Sequence, residues 1–143
     1  QAVGLLLLRL AFGAGIAFHG AHALFGEDGL QGMTQDVGSL GFPLPALFAW
    51  AAKLSEFVGG ICPILGALTR PAALFIAVTM GVAAFIAPAA DPWLLLAPAT
   101  KAKEMALLYF AAALTLLCTG PGPVAMDTWL SRKLPRFLGG RQD

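Results

Sequence analysis

The chain has 143 residues, 58% of them hydrophobic and 12% charged, and a formal net charge of +1. A soluble domain carries about 25% charged residues, so a mean hydropathy of +0.78 argues against a soluble globular fold. No dense basic patch lies outside the C-terminal tail, which speaks against nucleic-acid binding.

The apolar residues fall in long runs. At about 20 residues per crossing, the chain has room for four spans in one domain. The expected architecture is an all-α integral membrane protein. It is a four-transmembrane-helix bundle with short interfacial helices after span one and at the C-terminus.

Span one is expected at 2–24. It exceeds the roughly 7–15-residue apolar core of a signal peptide and reads as a retained helix. Arg9 lies in its early turns, placed to snorkel towards the nearer interface. Gly13, Ala17 and Gly20 form a small-residue stripe suited to close helix approach. His19 and His22 share a face near the far end. The following loop carries Glu27, Asp28 and Asp36 without a basic residue. Leu30, Met33, Val37 and Leu40 recur at helical spacing, which predicts a surface-lying amphipathic helix. The run Gly41-Phe42-Pro43-Leu44-Pro45 stops it and leads into the next span.

Span two, 46–68, carries Lys53 and Glu56 near its middle. A charge at that depth costs about 2.5–3.5 kcal/mol on insertion scales, so something must offset it. Glu56, Gly59, Gly60, Pro63 and Gly66 lie along one side and predict a seam facing other helices. A very short turn joins span three, 71–88, as an antiparallel hairpin. Span three has no charge after Arg70 and reads as facing lipid or a partner. The loop from Ala87 to Lys101 holds Trp93, which suits an interfacial aromatic belt. Span four, 102–119, places Glu104, Ala111, Thr115 and Cys118 on one inward seam. The two cysteines, Cys62 and Cys118, form no C-x-x-C and read as buried small hydrophobes.

The tail, 124–138, sets Met126, Leu130, Leu134 and Phe137 against Arg132, Lys133 and Arg136, with Trp129 beside the apolar row. Such a basic amphipathic segment fits the anionic membrane surface. Asp127 is placed to cap this helix. Arg70, Arg132, Lys133, Arg136 and Arg141 share one side with the termini, so the positive-inside rule predicts both termini in the cytoplasm.

This orientation gathers His19, Lys53, Glu56 and Glu104 in the outer half of the bundle. Several readings stay open. Lys53 and Glu56, at i and i+3, can simply satisfy one another and fix registry, with Glu56 also accepting from His19. Alternatively the cluster holds a polar headgroup such as a quinone, with His19 and Glu56 exchanging protons. His19 and His22 alone offer too few ligands for a metal or haem site, and none is assigned. A proton or solute path is the remaining reading.

The ordered motifs are similar to those of the DoxX family of small four-span bacterial membrane proteins. They are Arg9, His19-Gly20, Leu24-Phe25-Gly26, Gly41 to Pro45, Glu56-Phe57-Val58-Gly59-Gly60, Leu65 to Arg70, Glu104 to Tyr109, Gly120-Pro121-Gly122 and Asp127. Ala23 and Ala125 depart from the lysine and serine often found there. The resemblance implies a multi-pass protein of the bacterial cytoplasmic (inner) membrane. Some relatives are subunits of thiosulfate:quinone oxidoreductase and others associate with redox assemblies.

The expectation is therefore a membrane subunit of a quinone-linked redox assembly, in contact with lipids and other membrane subunits. His19, Lys53, Glu56 and Glu104 would line its site, and quinone is the one cofactor suggested. The alternatives are a non-catalytic accessory subunit, docking through span three, and a small transporter or channel. The chain has no Gly-rich nucleotide loop, haem-attachment motif or Ser-His-Asp candidate, so it does not read as a complete enzyme alone.

Overall fold

A computed structural model describes residues 2–27, 29–86 and 103–133. The described residues are all helix and connection. Helix α1 is Ala2–Phe25, α2 is Gly29–Ser39, α3 is Pro45–Leu65 and α4 is Thr69–Gly81. A π-helical turn, Val82–Ile86, extends α4; α5 is Glu104–Thr119 and α6 is Met126–Lys133. The expected loop at 87–101 with Trp93, the start of span four at 102 and the tail beyond 133 with Arg136 lie outside the described residues. So do Asp28 and the side chains of Arg132 and Lys133.

Among the described residues, three helices are long and apolar enough to cross a membrane: α1, α3, and α4 with its π turn. Helix α5 is apolar but shorter, at 16 residues. The four pack in the order α1, α3, α4, α5, with α2 laid against α3 and α1. Neighbours run antiparallel: Gly13 meets Gly60, Gly59 meets Ile76, and Gly81 meets Phe110.

The bounds follow local chemistry. Pro45 opens α3, where its fixed φ suits a first turn and its missing N–H is no loss. Gly66 closes α3 at φ +69, three residues earlier than the sequence suggests. Its N–H donates to the Pro63 carbonyl at 3.1 Å and the Ala67 N–H to the Cys62 carbonyl at 3.0 Å.

At the α1–α3 seam the two helices meet backbone to backbone. A methyl group added at Gly13 would lie 2.5 Å from the Gly60 carbonyl oxygen, and one at Gly60 would lie 2.5 Å from the Ala17 amide. One at Gly20 would collide with the Phe57 backbone. Glycine is required at these positions because backbone, not side chain, fills the facing surface. Opposite this seam, Phe12 and Ile16 of α1 join Ala73, Ile76, Ala77 and Met80 of α4 and Ala113 and Leu116 of α5 in the core.

Five expectations are corrected here. First, α4 is not a peripheral helix: it is the most enclosed of the three long ones. Its charge-free run is full of alanine because α3 and α5 press on it from both sides. Second, Ala111, Thr115 and Cys118 of α5 face outward, and Ala113 and Leu116 face in. The Thr115 hydroxyl donates to the Ala111 carbonyl at 2.8 Å, so it needs no partner helix. Third, the cysteines are free thiols but are not buried: Cys118 is exposed and Cys62 half-buried.

Fourth, Arg9 does not snorkel. It is 2% exposed and turned into the bundle. Its Nε donates to the Pro63 carbonyl at 2.9 Å, and Nη1 donates to the carbonyls of Pro121 at 2.5 Å and Val124 at 2.7 Å. Fifth, Asp127 likewise leaves its own helix. Its Oδ1 accepts from the Leu68 N–H at 2.8 Å and Oδ2 from the Thr69 N–H at 3.0 Å, which caps α4.

A candidate ligand cavity beside a buried ion pair

At the end of the bundle away from Arg9, Lys53 and Glu56 form a bidentate pair. The Lys53 Nζ donates to Oε1 of Glu56 at 2.9 Å and to Oε2 at 2.8 Å. Glu56 is 1% exposed. One helical turn brings the two side chains to the same face, and Gly59 and Gly60 below them draw α1 and α4 close. The charge on α3 is therefore neutralised within its own helix.

The pair borders a cavity of about 360 Å³. Its walls come from three elements. Helix α2 and its following loop give Met33, Val37, Leu40 and Phe42. Helix α3 gives Phe48, Ala51, Ala52, Lys53 and Glu56, and α4 with its π turn gives Thr79, Met80, Val82 and Ala83. Asp36 and Ser39 of α2 complete the lining. The rings of Phe42 and Phe48 stand 5.3 Å apart at one side. A π turn is often found where a helix must reshape itself around a site.

Of the four site residues expected from sequence, the structure brings Lys53 and Glu56 together at this cavity. It places His19 and Glu104 elsewhere. His19 is exposed on α1 and meets the Tyr109 ring edge-on, with centroids 6.0 Å apart. It makes no side-chain hydrogen bond to Glu56. His22 is also exposed, beside Phe18. Glu104 is half-buried in the first turn of α5 and joins no ion pair among the described residues. Its neighbour Lys103 is buried and engaged with surrounding structure. Among the described residues, no group of three His, Cys, Asp or Glu is arranged to hold a metal ion.

Sequence reasoning missed two contributors to the cavity. The aromatic and aliphatic wall from α2 and its loop was read only as a surface helix. Thr79 lines the cavity and contacts Ser55 of α3 at 3.1 Å. Tyr109, the one tyrosine of the chain, packs its hydroxyl end against Gly15 and its ring against Phe12 and His19. The signal for Ser55 and Thr79 was a hydroxyl in each of two neighbouring apolar helices.

The long apolar helices and their outward row of large side chains, Leu7, Phe18, Leu54, Phe75 and Leu108 among them, define a helical membrane protein. Comparison with known sequences sharpens this class. The DoxX family model matches residues 4–89, and the chain belongs to that family. It is 35% identical over 101 residues to an uncharacterised protein of Haemophilus influenzae, covering 71% of this chain and 72% of that one. No solved structure gives a significant match.

Proposed function

We propose that this multi-pass DoxX-family protein is a membrane subunit of a quinone-linked redox assembly, with the cavity beside Lys53 and Glu56 receiving the quinone headgroup. One observation carries the reading: a largely apolar cavity of about 360 Å³ has a bidentate ion pair in its wall. Cavities of roughly 300–1,000 Å³ with a few placed polar groups suit small ligands. Two of the three ammonium protons of Lys53 point at Glu56, which leaves one for a ligand carbonyl. Each Glu56 oxygen keeps an acceptor site for a ligand hydroxyl. Reducing a quinone to a quinol takes two electrons and two protons. A partner subunit's redox centre would supply the electrons, and protons would reach the two ring oxygens, one of them beside this pair.

In this reading α5 makes a fourth crossing. The Arg9 end faces the cytoplasm of a bacterial cell, with both termini there, and α6 rests on the inner-membrane surface. A second reading, a non-catalytic accessory subunit, draws on the pairing itself: Lys53 and Glu56 already satisfy one another's charge without a ligand.

One experiment separates the two. The protein in lipid nanodiscs is titrated with a short-chain ubiquinone and a short-chain menaquinone, alongside the double variant Lys53→Met/Glu56→Gln. That variant removes both charges at similar volume and so avoids stranding either one. We expect saturable binding weakened at least about tenfold in the variant, with cooperative melting retained. Equal affinity in both proteins, or no binding by the wild type, leaves the accessory reading in its place.

A further inference from the structure

We infer that Thr79, held from behind by Ser55, is the second polar contact for the headgroup in this cavity and reads a ring oxygen in either its carbonyl or its hydroxyl form. This rests on the quinone reading above. Thr79 is the one polar side chain that α4 and its π turn bring to the cavity; Lys53 and Glu56 enter from α3. Polar groups of α3 and α4 thus border one space between largely apolar walls, with Asp36 and Ser39 of α2 at its α2 side.

The protons of the hydroxyl pair decide what Thr79 can do. The Ser55 Oγ lies 2.7 Å from the Ala52 carbonyl oxygen, and the Thr79 Oγ1 lies 3.0 Å from the Phe75 carbonyl oxygen. The two hydroxyl oxygens are 3.1 Å apart. If each gave its proton to its own helix, that last contact would set lone pair against lone pair. One hydroxyl therefore donates to the other. With Ser55 donating, Thr79 sends its proton to Phe75 and keeps one lone pair for a ligand hydroxyl. The Phe75 carbonyl also serves the helix ladder, so Thr79 can turn the same proton to a ligand carbonyl without stranding an acceptor. With Thr79 donating to Ser55, both of its lone pairs stay free of Ser55.

A lysine in this place would present donors only. A Ser–Thr pair whose proton can be redirected fits an oxygen that is a carbonyl in one oxidation state and a hydroxyl in the other. Ser55 is a positioning residue, since it does not line the cavity but fixes where Thr79 points.

The test uses full-length protein in nanodiscs and the variants Thr79→Val, Thr79→Ser and Ser55→Ala. The ligands are a short-chain quinone, its quinol, and an analogue bearing a single ring oxygen. Thr79→Val should weaken both quinone and quinol about three- to tenfold, the worth of one neutral hydrogen bond. It should leave the single-oxygen analogue unchanged, and Thr79→Ser should restore binding. Ser55→Ala should give a smaller loss with the same ligand pattern. Equal affinity of Thr79→Val and wild type for all three ligands overturns the role of Thr79. The quinone reading then still stands if Lys53→Met/Glu56→Gln loses binding. Absence of quinone binding by the wild type overturns both.

Discussion

The Arg9 guanidinium and the Pro63 carbonyl meet at 2.9 Å, joining the early turns of α1 to the last turn of α3. The same side chain reaches the Pro121 and Val124 carbonyls. Arg9 thus gathers main-chain carbonyls at a helix end and at a Pro-Gly-Pro turn, sharing that of Pro63 with the Gly66 N–H. A buried cation is tolerable only with such partners.

Substituting Arg9 should therefore unlatch one end of the bundle. Arg9→Lys keeps the charge but cannot span three carbonyls with a planar fork. We expect Arg9→Lys to lose about 2 kcal/mol and Arg9→Met about 3 kcal/mol of stability, since bonds to a charged group are worth about 1.5–3 kcal/mol each and are not additive. Denaturant-dependent unfolding in detergent micelles checks this. A lysine variant as stable as wild type would mean that charge alone suffices and the fork geometry is idle.

The glycine seam gives a prediction with its own control. A methyl group at Gly60 would lie 2.5 Å from the Ala17 amide, while one at Gly4 meets nothing within 4 Å. Both glycines are helical, so both gain about 1 kcal/mol of helix propensity on becoming alanine. Gly60→Ala should nevertheless lose about 1–3 kcal/mol or more, because overpacking pushes α1 from α3. Gly4→Ala should be neutral or slightly stabilising. Thermal unfolding of both variants in the same lipid decides it; similar shifts would show that the seam relaxes freely.

This contrast marks what was legible in the sequence. Small residues at helical spacing are a direct record of backbone approach, so Gly13, Gly20 and Gly60 could be read as contacts. Proline position marked the start of α3 to within a residue. Facing was harder. His19 and Gly20 are neighbours, yet one residue turns a helix by about 100°, so Gly20 enters the seam and His19 looks outward. Thr115 and Cys118 looked inward because polarity usually hides in a membrane bundle. A threonine bonded to its own helix escapes that rule. The Arg9 contacts had no readable signature, because their partners are main-chain carbonyls 54 to 115 positions away. The cavity was half legible: Lys53 and Glu56 marked it, but its lid from α2 depends on tertiary placement.

Asp127 shows the same long-range logic and gives the last prediction. Its two oxygens take the first free amides of α4, from Leu68 and Thr69, while its own N–H donates to the Gly66 carbonyl at 2.8 Å. Leu68 holds a left-handed φ of +49, a conformation that leucine resists. The carboxylate thus clamps a strained turn and complements the positive end of the α4 dipole. Asp127→Ala should cost about 1–2 kcal/mol, the usual worth of a cap at its stronger end. Asp127→Asn keeps one good acceptor and should recover about half. Because the cap is local, hydrogen exchange should quicken first at the amides of Leu68 and Thr69, with the α1–α3 seam unchanged. Uniform quickening across the bundle would instead show that Asp127 acts through global stability, and unchanged exchange at Leu68 would remove its capping role.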